Sequence, residues 1–113
     1  MEKQSLQKYQ EFSEDRFTKR IIFKKSSSTA FVLNFLPDQQ LPSHTHPGSD
    51  VFIMTVEGTG VFTIDGKEVN VMKNDLVHCS DQEQLSFNNN GTERVSLYVI
   101  LNKIPNDKYA ENS

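Results

Sequence analysis

Apolar residues along the chain come in short bursts, each separated from the next by residues that favour tight turns. The bursts have the lengths of strands, and no helical stretch of about ten or more residues lies between them. They are TKRIIF, TAFVLNFL, VFIMTVE, VFTID, KEVNV, LVHC, QLSF and RVSLYVIL. The pattern predicts about seven or eight antiparallel strands in a sandwich or barrel with one core.

Turn chemistry supports this interpretation, because residues that adopt fixed or positive φ stand between the bursts. The turn sequences are Pro37-Asp38, Pro47-Gly48, Gly58-Thr59-Gly60, Asp65-Gly66, Asn74-Asp75 and Asn90-Gly91. Asp65-Gly66 and Asn90-Gly91 carry the strongest hairpin signals, since Asp-Gly and Asn-Gly fit a two-residue reversal between strands.

The burst VFIMTV is apolar at almost every position, so both faces of that strand are expected to be covered. One face would meet the interior of the barrel and the other a further sheet or a second chain. A chain of 113 residues holds one domain with a thin core. The sequence therefore predicts a homodimer that covers the outer face of this strand.

The domain organisation follows from the polarity of the two ends of the chain. Residues 1–17 are polar at the start and are predicted to form an N-terminal arm that holds a short helix or stays loose. Residues 18–102 form the predicted barrel. Residues 103–113 form a polar C-terminal tail that is expected to fray.

Charge and composition narrow the classes of partner. The net charge is −3, and no basic face that could neutralise several phosphates is present, which argues against nucleic acid. The nearest basic cluster flanks a strand and is interpreted as solvating its ends; it comprises Lys19, Arg20, Lys24 and Lys25.

The polar start and the absence of a long apolar run predict a cytoplasmic protein without membrane contact. Cys79, the single cysteine, lies in LVHC and is predicted to be an inert core thiol.

The stretch HTHPGSD carries the residues most indicative of function, His44 and His46. In an extended chain, side chains two positions apart point the same way, so the two imidazoles are expected to lie together. Two imidazoles so placed can share a metal ion. Alone, such a pair is weak evidence, because it also occurs by chance in exposed loops.

The stretch LPSHTHPGSDVFIMTVEGTGVFTIDG resembles the first conserved motif of the cupin superfamily, in which two histidines and a glutamate precede an apolar strand that ends at a glycine turn. The resemblance covers roughly residues 30 to 100, with turns placed as in small single-domain cupins. It implies an all-β fold, a small antiparallel jelly-roll β-barrel.

Two departures from the first motif bear on its chemistry. Asp38 stands where the first glycine belongs, and Asp50 takes the glutamate position. Seven residues separate Asp50 from Gly58, one more than in the motif. Either a bulge absorbs the extra residue, or Val51 occupies the place of the glutamate.

The second motif of the family falls on NDLVHCSDQEQLSFNN and is largely lost. When the stretch is aligned on Asn74-Asp75, only the final asparagine, Asn89, matches the pattern. The position of the motif's histidine is held by Leu85, which cannot bind a metal. The usual four-ligand cupin site is therefore not expected in this chain.

What the resemblance leaves is a set of two histidines and one carboxylate, His44, His46 and Asp50. Such a set resembles the facial triads of non-haem iron sites and suits a divalent transition metal: zinc, iron, nickel, manganese or copper. Two alternatives stay open. The histidines are remnants of a decayed site that line a pocket by hydrogen bonding alone, or Asp50 caps the turn after Pro47-Gly48 instead of binding metal.

Neighbouring residues complete the predicted site. Phe52, Met54 and Val56 share parity with the histidines and are expected to form an apolar wall beside them. Gln84 would point away from the site on a regular strand, and His78 is interpreted as a stacked or solvated side chain.

Two functions follow from this sequence, and the fold does not decide between them. One is a non-catalytic cupin that binds a small molecule in a pocket lined by His44 and His46. The alternative is a metal-dependent enzyme of the dioxygenase or isomerase type. The second is weakened by Leu85 and by the absence of an evident replacement base.

Overall fold

The computed structural model describes residues 1–105, and the strands within this range account for most of the fold. A short 3-10 helix, Leu6–Tyr9, lies in the N-terminal arm. The strands are β1 Thr18–Lys25, β2 Ser28–Phe35, β3 Gln40–His44, β4 Ser49–Glu57, β5 Thr59–Ile64, β6 Lys67–Met72, β7 Leu76–Cys79, β8 Leu85–Asn88 and β9 Val95–Lys103.

The strands form two antiparallel sheets with the hydrophobic core between them. The five-stranded sheet has the order β1-β2-β9-β4-β7, and the four-stranded sheet has the order β3-β8-β5-β6. Alternate residues of each strand face the core, as Val51 and Ile53 of β4 do, because side chains alternate across a strand. The predicted all-β jelly-roll barrel is confirmed.

A cluster of phenylalanines lies within the core. Phe35, Phe62 and Phe87 are fully buried, and the ring centroid of Phe87 lies 4.9 Å from that of Phe35 and 4.8 Å from that of Phe62, both pairs being tilted. Phe17 stacks on Phe35 at 5.2 Å. These rings join both sheets, since Phe35 belongs to one sheet and Phe62 and Phe87 to the other.

One of the two predicted hairpins is correct and the other is wrong. Asp65 and Gly66 both have positive φ, 50° and 81°, and join the paired strands β5 and β6 as expected. Asn90-Gly91, however, connects β8 to β9, which lie in different sheets. The chain crosses between the sheets here because the side chain of Asn89 organises the loop. Its amide donates to the carbonyls of Phe35 and Glu93, at 3.2 and 2.8 Å, and its oxygen accepts from Gly91 at 3.2 Å.

Strand β3 was not among the apolar bursts. Its sequence QLPSH contains one apolar side chain besides proline, so alternation could not reveal it. Pro42 is compatible with this strand because β3 lies at the edge of its sheet, where a missing amide donor is tolerated.

The N-terminal arm is held to the barrel by side-chain hydrogen bonds. Asn34 donates to the carbonyl of Tyr9 at 2.8 Å, and Gln10 donates to the hydroxyl of Ser96 at 3.0 Å. Gln39 donates to the carbonyl of Ser13 at 2.7 Å. The arm therefore lies against the barrel and contains one short 3-10 helix. Residues 106–113 of the predicted tail lie outside the described residues.

The outer face of the five-stranded sheet keeps apolar side chains in contact with solvent. Phe52 on β4 is 44% exposed, and Leu76 on β7 is 76% exposed. These are the side chains that a second copy would cover, so the predicted homodimer stays a prediction with a defined surface. Among the described residues, no helix is long and apolar enough to cross a membrane.

The structure predicts that Asn89 stabilises the crossing between the sheets. Substituting Asn89 by alanine removes three hydrogen bonds, one of them buried, which should lower the free energy of unfolding by about 2 kcal/mol. Asn90→Ala is the matched control, because Asn90 is exposed. Urea unfolding followed by circular dichroism measures both variants. Equal stabilities of the two variants would contradict this role of Asn89.

Candidate functional site

A cavity of about 250 Å³ lies between the two sheets. Its base consists of buried apolar side chains from both sheets, among them Leu33, Val51, Ile53, Phe62, Leu97 and Val99. Its mouth is the partly or fully exposed end of the lining, formed by Phe17, Lys19, Leu41, His44, His46 and Leu101. The site thus combines an apolar interior with polar groups confined to the opening.

The two predicted histidines meet at this mouth. His44 is the last residue of β3, and His46 follows before the turn at Pro47-Gly48, which the amide of Ser49 closes by donating to the carbonyl of His46. The Nε2 atoms of the two imidazoles lie 3.0 Å apart, and the rings meet edge to face with centroids 4.4 Å apart. The spacing of the two histidines in the sequence therefore does bring their rings together.

Hydrogen bonding fixes the tautomer of His44. Its Nδ1 lies 2.7 Å from the carbonyl oxygen of Pro42, which can only accept, so Nδ1 carries the proton. In the neutral ring, Nε2 of His44 is then an acceptor. The N–H at Nε2 of His46 donates a hydrogen bond to it. The lone pair of His44 that a ligand could use is thereby directed at His46.

Electrostatics keep His46 neutral. Burial lowers its pKa from 6.5, and the adjacent His44 and Lys19 lower it further because each disfavours a second positive charge. His46 is consequently uncharged near neutral pH, and Lys19 supplies the permanent positive charge of the mouth.

Lys19 is a site residue that the sequence interpretation missed. It was assigned to a cluster that solvates the ends of a strand, but it lines the cavity, and its Nζ lies 4.5 Å from the centroid of the Phe31 ring. In β1 it pairs with the inward-facing Leu33. A signal existed, because Lys19 has the same parity as Phe17, whose ring packs on the core.

Asp50 does not join the histidines. Its carboxylate lies on the outer face of the five-stranded sheet, 2.8 Å from Nε2 of His78, and Val51 lines the cavity in its place. The turn at Pro47-Gly48 separates β3 from β4 and interrupts the alternation on which the prediction relied. Within residues 1–105, no three side chains of the kinds that bind metal are grouped closely enough to hold an ion.

The same change of parity affects the predicted apolar wall. Phe52, Met54 and Val56 face away from the cavity, and their inward neighbours Val51 and Ile53 form the wall. His78 contacts Phe52 on the outer face, with ring centroids 5.0 Å apart, so it is remote from the histidine pair.

Leu85 lies opposite His44. The two residues are paired between β8 and β3, and Leu85 is 1% exposed and lines the cavity. Position 85 therefore faces the histidines, as the alignment of the second motif required. Gln84 is exposed and does not line the cavity.

Cys79 is a buried core side chain, as predicted. It is 1% exposed, and burial, with smaller contributions from Glu83 and Asp65, raises the pKa of its thiol to about 11. A thiol with this pKa is not ionised near neutral pH, so Cys79 does not supply a nucleophile.

The donor set fits a metal ion only in part. With metal–nitrogen distances of about 2.0–2.1 Å, a separation of 3.0 Å between the two Nε2 atoms corresponds to a nitrogen–metal–nitrogen angle of about 95°. The bond from His44 to Pro42 is the kind of support that orients a ligating imidazole. Catalytic metal sites, however, generally use about three protein ligands. Leu85 occupies the position, opposite His44, that a third ligand would take. Among residues 1–105, the two histidines are thus an incomplete set of ligands for such a site.

Solved structures with the same fold come from distant proteins. TT1209 from Thermus thermophilus is similar with a TM-score of 0.87 and 20% identity, covering 93% of this chain and 100% of that one. An uncharacterized conserved protein with a double-stranded β-helix domain from Klebsiella pneumoniae has a TM-score of 0.85 and 16% identity, covering 91% and 90%. KdgF from Halomonas sp. has a TM-score of 0.70 and 13% identity, covering 84% of each chain. At these identities the likeness shows the fold alone.

Comparison of the sequence with protein families gives a more specific result. No protein with a curated functional description matches the sequence. The family model described as the cupin domain matches residues 31–101, which span β2 to β9 and all of the cavity lining except Phe17 and Lys19. The chain therefore belongs to the cupin family.

Proposed function

We propose that this cupin binds a small, largely apolar molecule inside its barrel and holds the polar end of that molecule with His44 and His46. The observation that carries the proposal is the cavity itself, an apolar space of about 250 Å³ whose only histidines and lysine stand together at the mouth. Ligand sites typically have this composition, with many apolar side chains and a few converging polar groups.

The volume limits the size of the ligand. A cavity of about 150 Å³ holds benzene, and sites for drug-sized molecules begin near about 300 Å³. The present cavity, about 250 Å³, lies between these two cases. It suits a substituted single ring or a branched chain that bears one polar group.

The histidine pair is suited to recognising that group. A neutral imidazole donates from one nitrogen and accepts at the other. The hydrogen bond between His44 and His46 is partly exposed, so a ligand can replace it with hydrogen bonds of its own at a small cost in free energy. Hydroxyl, carbonyl and carboxylate groups all fit this chemistry.

Binding is favoured over catalysis by what surrounds the cavity. In the described part of the chain, no third metal ligand reaches the histidines. The one thiol has a pKa of about 11 and lies outside the lining. The groups expected of a cupin enzyme are thus incomplete, whereas those of a binding pocket are present.

Filling the cavity should abolish binding. Val99→Phe adds a ring to the lining of the cavity, whereas Ile100→Phe places a ring on the opposite face of β9. We expect the wild type and Ile100→Phe to bind members of a set of small aromatic and branched aliphatic alcohols, amides and acids, and Val99→Phe to bind none of them. Ligand-observed NMR measures binding, and circular dichroism checks folding. A Val99→Phe variant that is folded and binds as the wild type does would exclude this pocket.

A second candidate is a divalent transition metal held by the same histidines, with the ligand completing its coordination. It is favoured by the separation of 3.0 Å between the two Nε2 atoms and by the support of Pro42. Imidazole suits zinc, iron, nickel, manganese or copper to different degrees, and two such ligands provide weak binding. Here the metal would polarise the bound group of a substrate, and the protein would act as an enzyme.

Restoring the missing histidine should reveal how well this metal site can form. The double variant His44→Ala/His46→Ala is expected to lose binding of zinc altogether. Leu85→His places a third imidazole opposite His44 and should tighten zinc binding at least tenfold, or about 1.4 kcal/mol. Gln84→His is the matched control, because position 84 is exposed and should leave the affinity unchanged. Isothermal titration calorimetry measures all four proteins. If Leu85→His and Gln84→His bind zinc equally, the second candidate fails.

A further inference from the structure

We infer that the ligand of this cavity is an anion, an apolar body that ends in a carboxylate, and that Lys19 determines this specificity. The inference rests on the proposed function, since it assigns the chemical class of the molecule that the cavity takes. Its basis is the distribution of charge around the lining, which is independent of the volume and of the histidine geometry.

The titratable side chains that line the cavity are all basic or neutral. They are Lys19, His44 and His46, and no aspartate or glutamate joins them. Asp50, four residues after His46, is turned to the outer face and bonded to His78. The chain as a whole carries a net charge of −3, whereas the charged side chain at the mouth of the cavity is positive. The cavity therefore attracts an anion and disfavours a cation.

Lys19 is placed to meet a ligand rather than to pair with the protein. Its ammonium lies over the ring of Phe31, 4.5 Å from the ring centroid, a cation–π contact that holds the side chain at the mouth. Among the described residues, no carboxylate lies within salt-bridge distance of Lys19, in contrast to Lys25, which pairs with Glu2 at 2.6 Å. The N–H groups of Lys19 thus stay available to an incoming carboxylate.

The difference in exposure between the mouth and the base of the cavity suits an amphiphilic anion. Lys19 is exposed and both histidines are half-buried, whereas the base of the cavity is buried. An apolar body can fill the base while its carboxylate stays at the mouth, where water still reaches it. The desolvation cost of the charge is then small, and a charge-assisted hydrogen bond with Lys19 becomes a net gain.

A series of isosteric probes tests this inference. Cinnamate, cinnamamide and cinnamylammonium share one apolar body and differ in charge at the polar end. In a buffer of low ionic strength near neutral pH, we expect the wild type to bind cinnamate about tenfold more tightly than cinnamamide and to bind cinnamylammonium most weakly. Isothermal titration calorimetry gives the three affinities.

Two variants locate the source of the preference. Lys19→Gln should reduce the ratio of the affinities for cinnamate and cinnamamide to near unity. Lys24→Gln removes the same charge from the same strand but at a position outside the lining, so it should retain the tenfold ratio. Both positions are exposed, and thermal melting followed by circular dichroism verifies that the variants fold.

The possible results of these titrations distinguish the anion specificity, the role of Lys19 and the proposed function. Equal binding of cinnamate and cinnamamide by the wild type would overturn the anion specificity and leave the proposed function standing. A loss of the preference in Lys24→Gln as large as in Lys19→Gln would show a diffuse charge effect and overturn the role of Lys19. Failure of all three probes to bind would overturn the proposed function together with the inference.

Discussion

The pairing of β3 with β8 is the constraint on which the site depends. It sets His44 opposite Leu85 and brings the end of β3 to the open end of the barrel. The phenylalanine cluster borders the cavity rather than closing it, since Phe17 and Phe62 belong both to the cluster and to the lining. Because Leu85 occupies the position of a third ligand, this pairing yields an apolar pocket with a polar mouth rather than a complete metal centre.

The sequence predicted those parts of the fold that depend on local pattern. Apolar bursts located eight of the nine strands seen in residues 1–105, and Asp65-Gly66 was correctly interpreted as a hairpin because its φ preferences are local. The resemblance to cupins supplied the jelly-roll arrangement and the position of Leu85. His44 and His46 were paired correctly, since one intervening residue in an extended segment leaves little freedom.

The errors arose where tertiary structure overrides local pattern. Asn90-Gly91 has hairpin chemistry, but the buried side chain of Asn89 directs the chain into the other sheet. Asp50 was placed with the histidines by counting residues through a turn, and a turn resets the parity of the strand that follows. Lys19 could not be identified as a site residue from charge alone, because its role comes from the packing of β1 beside β2.

Intermolecular nuclear Overhauser effects would show whether a ligand enters the barrel beside the histidines. Val99 and Ile100 are adjacent in β9 and point to opposite faces of the sheet, into the cavity and away from it. With cinnamate bound to protein carrying labelled methyl groups, we expect contacts from the ligand's ring to the methyls of Val99 and Leu85. Contacts to the methyls of Ile100 and Met54 instead would place the ligand on the outer face and rule out binding inside the barrel.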